Sequence, residues 1–162
     1  MEDQAAAPKT LPLLEGSTTL AEALEEEENM LIRLKYPNQR VNFFLWVYQH
    51  RNDFEAIVSY HLGLGEGETC QFGDPRDWKH GSFNLCLPIH IHNWRKYPGK
   101  RVMLRIPLPY RVGESSYSGN ADEKLRTEAA TFIWIKDNCP DIRIPFLWGF
   151  GLSGGETVCK NT

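Results

Sequence analysis

RVMLRIPL at residues 101–108, followed after a polar loop by NADEKLRTEAATFIWIKDN at residues 120–138, reads as a strand and then a helix. On the strand, the two-residue period puts Val102, Leu104, Ile106 and Leu108 on one face and leaves Arg105 beside Met103 on the other. On the helix, Leu125, Ala129, Phe132 and Ile133 form the apolar stripe, with Glu128 at its border. A carboxylate at the margin of a core needs a cation, because leaving a buried charge without its partner costs about 3–5 kcal/mol. Arg105 is the candidate. From these residues alone the pair reads equally as an edge-of-core salt bridge or a solvated glutamate.

Working outward, the chain on either side reads as short strands. Cys70–Phe72 precedes a loop, GDPRDWKHG, and then Ser82–Ile91, where Pro88 marks a bulge or an edge. Pro98-Gly99 predicts the turn into the Arg101 strand. His90 and His92 share a strand face, but no third ligand accompanies them, so no metal site is predicted. Downstream, Pro107 and Pro109 stop the ladder, and Asn120 with Glu123 predicts a capping box at the helix start. Asn138-Cys139-Pro140 ends that helix. Strands are expected over 143–152 and 156–159, joined by a turn at Ser153-Gly154-Gly155. Gly149–Gly154 satisfies the G-x-G-x-x-G spacing, but eight residues follow Gly154, too few for the helix and acidic residue of a dinucleotide site. It is read as a hairpin.

Residues 1–18 are expected to be a flexible tail and 19–62 a helical segment. Its first helix is placed over Thr19–Leu34, with Leu24, Met30, Leu31 and Leu34 on one side and the Glu25–Glu28 run in solvent. Its second runs from about Arg40 to His61, kinked or divided near Asn52-Asp53. Tyr36-Pro37 separates the two. At 162 residues, with 41% hydrophobic residues and five Trp, the chain has the composition of a globular protein. A net charge of −3 gives no reason to expect nucleic acid or an anionic membrane as partner. There is no secretory signal and no stretch of transmembrane length, so a cytoplasmic location is expected. The four cysteines are widely spaced without a C-x-x-C pair, and are read as reduced structural thiols.

HGSFNLCLPI at 80–89 and the block from Leu104 to Glu156, with its Pro-Leu-Pro-Tyr, Asn-Ala-Asp-Glu-Lys and Asn-Cys-Pro-Asp runs, resemble the amino-terminal lobe of fungal aminoglycoside phosphotransferase family proteins, which have the protein-kinase-like fold. The resemblance covers roughly residues 60–158. It implies an α+β fold: a kinase-like N-lobe over 63–162, with a roughly five-stranded antiparallel sheet and one packed helix, preceded by two N-terminal helices. It gives Gly81, Ser82, Phe83 and Asn84 the place of the turn that covers ATP phosphates, Arg105 that of the third-strand cation, and Glu128 that of the carboxylate holding it. Arg105 stands where such proteins usually carry Lys, and its planar fork is aimed differently. ATP and magnesium are expected for a full-length relative. The catalytic-loop Asp and the metal-binding residues would come from a C-lobe that this sequence lacks, so no catalytic residue is assigned. The expectation is a truncated lobe without phosphotransfer of its own. The alternatives are a binding or regulatory module whose exposed surface recruits a protein partner or a second copy, or a fragment of a full-length ATP-dependent phosphotransferase.

Overall fold

The computed structural model describes residues 8–159, a mixed α+β chain whose contacts divide it between Tyr48 and Gln49 into two units. The smaller unit begins with strands β1 (Thr10–Pro12) and β2 (Ser17–Thr19), paired antiparallel. The Leu13 amide donates to the Gly16 carbonyl at 3.1 Å, and Gly16 takes the left-handed φ of +77° that this turn requires. Residues 10–18 therefore form a hairpin where a flexible tail is expected. Residues 1–7 of that tail lie outside the described residues.

Thr19 closes a capping box with Glu22 on helix α1 (Leu20–Glu25). The helix expected to run to Leu34 breaks at Glu26, whose backbone is extended, and restarts as α2 (Met30–Arg33) with Asn29 as its cap. Four consecutive glutamates repel one another in a helix, and Asn29 offers a second start. Arg33 lies 3.5 Å from Glu28 and 4.0 Å from Glu26. Met30 is buried, whereas Leu24 and Leu31 are exposed, so the expected single apolar side is not formed. Helix α3 (Tyr36–Gln49) starts earlier than expected because Pro37 falls in its first turn, where the missing N–H costs nothing. His50 divides the expected long helix, separating α3 from α4 (Arg51–Leu62).

The larger unit is built on a four-stranded antiparallel sheet of β3 (Thr69–Phe72), β4 (Lys79–His80), β5 (Asn84–His92) and β6 (Val102–Pro107). β5 is central. One of its edges pairs with β6, and the other is shared end to end by β4 and β3. Alternation puts Leu85, Leu87 and Ile89 on one face, all nearly fully buried. On that side, Val58 and Leu62 of α4 cluster with Cys70, Ile89 and Trp94. Helix α4 thus belongs with the sheet, and the division falls before it rather than at 62/63 as expected.

Pro88 lies within the central strand rather than at an edge or bulge. Its carbonyl accepts from the Gly73 amide at 2.8 Å, in the gap where neither β3 nor β4 pairs with it. The N and O of one strand residue point to the same side, so the donor Pro88 lacks is missing where no ladder bond is formed. A Cβ on Gly73 would come 2.8 Å from Pro88 Cγ, which is why a glycine stands there.

After β6 come a short helix, α5 (Pro109–Val112), and the long α6 (Asn120–Asn138). The capping box expected from Asn120 is not formed. Glu114 instead accepts from the amides of Gly119 and Ala121 at 2.6 and 2.7 Å, while Asn120 donates to the Val112 carbonyl. Strands β7 (Gly149–Gly151) and β8 (Thr157–Cys159) make the expected hairpin, but as a separate two-stranded sheet. The five-stranded sheet is therefore not observed among the described residues. Residues 143–148 form no strand, since Pro145 interrupts them and Trp148 packs within 5.2 Å of the Trp94 and Tyr97 rings. Among the described residues no helix is long and apolar enough to cross a membrane.

Candidate functional site

The pairing of Asn84 with Pro107, and of Cys86 with both Arg105 and Lys79, places Asn84, Cys86, Arg105 and Lys79 on the sheet face opposite Leu85 and Leu87. Near this face run the first turns of α6. Glu128 Oε1 accepts from Arg105 Nη2 at 3.3 Å and is also ion-paired with Lys124, one helical turn earlier. Lys124 Nζ reaches further, donating to Asn84 Oδ1 at 3.2 Å. Asn84 is one of two buried polar residues in the described chain, and this bond satisfies its carbonyl. The result is a chain of contacts from β5 through α6 to β6, with one carboxylate oxygen shared by two cations.

The Gly81–Phe83 turn is fastened elsewhere. The Gly81 amide donates to the Asn84 carbonyl at 3.0 Å, closing the turn. The carbonyls of Ser82 and Phe83 accept from Arg111 Nε and the Leu108 amide, both at 2.8 Å. The Arg111 guanidinium also sits 5.9 Å from the half-exposed Phe83 ring. Of the expected residues, then, Arg105 and Glu128 meet directly and Asn84 joins them through Lys124, while Ser82 and Phe83 bind to α5 and the residue before it and Gly81 closes its own turn on the Asn84 carbonyl. Lys124 and Arg111 were not singled out from the sequence. The i, i+4 spacing from Lys124 to Glu128 is a readable signal. The Arg111 contact spans 29 residues and leaves none.

The arrangement holds more positive than negative charge in one place. Arg105 uses one guanidinium N–H on Glu128, and its side chain is 46% exposed. Lys124, 20% exposed, is held by Glu128 and Asn84. Two cations on one carboxylate leave a net positive charge, which suits an anion such as a phosphate. His90 and His92 are exposed, and among the described residues no group of three or more His, Cys, Asp or Glu is placed to hold a metal ion. All four cysteines are free thiols. Burial pushes the Cys70 thiol up, and its sulfur lies 3.1 Å from the Glu55 carbonyl oxygen and 3.2 Å from the Ser59 hydroxyl.

Comparison of the chain with protein-family models, with curated proteins and with solved structures finds no match.

Proposed function

We propose that residues 49–159 are a phosphate-binding half of a kinase-like fold, related to the aminoglycoside phosphotransferase family, which engages the phosphates of ATP without transferring one by itself. The observation that carries this reading is the Arg105–Glu128–Lys124–Asn84 chain. A strand cation held by a helix carboxylate is the arrangement by which kinase-like folds orient a phosphate-binding side chain. Here the carboxylate holds two cations, and the second takes up part of the work that the usual strand Lys does alone. Magnesium would accompany the nucleotide in a full-length relative. Phosphoryl transfer further needs a base for the acceptor hydroxyl and carboxylates for the metal, and no residue here is assigned to either role.

Calorimetric titration with ATP, in parallel with adenosine, tests this. ATP is expected to bind and adenosine to bind at least tenfold more weakly. Lys124→Met and Arg105→Ala should each weaken ATP about tenfold, the equivalent of about 1.4 kcal/mol. Equal binding of adenosine and ATP, or none of either, would sink the reading. Magnesium-dependent turnover in a coupled assay would sink the claim that the chain does not catalyse.

A second reading rests on a different observation. A groove of about 740 Å³ runs between the C-terminal half of α6 and the β7–β8 hairpin, and it is walled by apolar side chains including Ile133, Ile142, Phe146 and Val158, all at least 42% exposed. Such a surface favours a regulatory module that recruits a protein partner or a second copy. Light scattering of the purified chain would show a stable oligomer if this reading holds and the partner is itself.

A further inference from the structure

Three elements of the larger unit converge on one imidazole. His61 stands in the last turn of α4, and its Nδ1 lies 3.0 Å from Cys159 Sγ on β8. Its Nε2 lies 2.9 Å from Thr157 Oγ1, two residues earlier on the same strand. The ring lies against Gly149, which pairs with Cys159 across the hairpin. A Cβ on Gly149 would come 2.2 Å from Nδ1, so only glycine admits the ring there.

The bonds fit a single direction. The Thr157 hydroxyl lies 3.4 Å from the Phe150 carbonyl and can donate to it, which leaves its oxygen to accept from the Nε2–H of His61. Nδ1 is then the unprotonated nitrogen, and it accepts the Cys159 S–H. Partial burial lowers the pKa of His61 and favours the neutral ring that this requires. A thiol on an imidazole that a third group orients is the arrangement of an activated nucleophile. The other thiols differ. Cys70 is buried, with the Glu55 carbonyl and the Ser59 hydroxyl at its sulfur. Cys139 lines the same groove as Cys159, at the C-cap of α6.

The geometry points to Cys159 as an acyl-acceptor thiol, with His61 as its base, for thioesters that carry an apolar acyl chain. Cys159 forms part of the wall of the 740 Å³ groove, and the side chains beside it are mostly hydrocarbon, so the acyl chain has apolar surface to lie on. In the step, the sulfur attacks the thioester carbonyl carbon as its proton passes to Nδ1. The tetrahedral adduct collapses by breaking the bond to the leaving thiolate, which takes the proton from His61. One thioester is exchanged for another, with no change of oxidation state and no co-reactant. Thr157 is a positioning residue: it fixes the tautomer and touches no reacting atom. This inference does not depend on nucleotide binding.

The test is incubation of the full chain with hexadecanoyl-coenzyme A or acetyl-coenzyme A, followed by intact mass and peptide mapping. One acyl group, released by hydroxylamine, is expected on Cys159, at least about tenfold faster from the long chain than from acetyl. His61→Gln should slow the reaction about 100-fold. Thr157→Val should slow it about tenfold, with Thr157→Ser restoring the rate, a rescue that would not follow if Thr157 served only to pack the hairpin. Circular dichroism confirms that each variant folds. No acylation, equal labelling of Cys139 or Cys86, or a His61→Gln rate equal to wild type would each overturn the assignment.

Discussion

Glu128 shows how exposure sets what a charged contact is worth. Its carboxylate is 28% exposed and paired with Arg105, which is 46% exposed, and with Lys124. If the carboxylate is neutralised, Arg105 keeps its water and Lys124 keeps Asn84. Glu128→Gln is therefore expected to cost about 1 kcal/mol, between the value of an exposed pair and that of a charged hydrogen bond. Thermal denaturation measures this, and an unchanged midpoint would mean that Glu128 is held by solvent alone. The Arg105–Glu128 pair is legible in the sequence because Glu128 stands at the border of an apolar stripe and Arg105 is the one cation inside the neighbouring strand pattern. The role of Asn84 is not, since it depends on a lysine side chain bridging 40 residues.

Among the elements, those with a long period are the ones the sequence reveals. Strand β6 and helix α6 follow from alternation and from the 3.6-residue stripe, within a residue or two at their ends. Two-residue β4 has too few residues to show a period, and the cap of α6 comes from Glu114, outside the window in which a capping box is sought. The hairpin is legible from its turn, but its separation from the main sheet is not, because that depends on where Trp148 packs. Two contacts tie the hairpin to α6: Arg126 pairs with Glu156 at 2.8 Å, and the Asp122 carboxylate accepts from the Ser153 amide at 3.0 Å and from its hydroxyl at 2.6 Å. These hydrogen bonds from Ser153 hold the Asp122 pKa below the usual range, with Arg126 adding a smaller effect. A depressed carboxylate pKa contributes stability that is complete above the unfolded value of about 3.9 and is lost as pH falls through the folded value. The Ser153 amide resonance should accordingly titrate with a midpoint below about 3.9, and Asp122→Asn should leave it flat over the same interval. A midpoint at or above the ordinary value would show that the tie does not form.

At the scale of the whole molecule, the main sheet is fully buried on one side and only partly covered, at its Asn84 end, on the other. Leu85 and Leu87 are fully buried and Ile89 nearly so, while Met103 and Arg105, on the other face, are exposed. This asymmetry follows from the pattern of β5 and β6, in which one register is aliphatic and the other mixes Asn84, Cys86, Pro88, Met103 and Arg105. It also leaves the Arg105 side chain open to solvent, because a fully covered second face would have buried it with Glu128. The two faces make opposite predictions for the loss of a similar volume of hydrocarbon. Leu87→Ala removes a side chain with no exposed surface and should destabilise the unit by about 2–5 kcal/mol. Met103→Ala removes one that is 55% exposed, and should change stability by no more than about 0.5 kcal/mol. Urea denaturation followed by tryptophan fluorescence reads both, since Trp94 and Trp148 belong to the core cluster on the buried side or pack against it. A large loss at Met103 would mean that another surface covers the open face in solution, and the cations at Arg105 and Lys124 would then be closed to a phosphate.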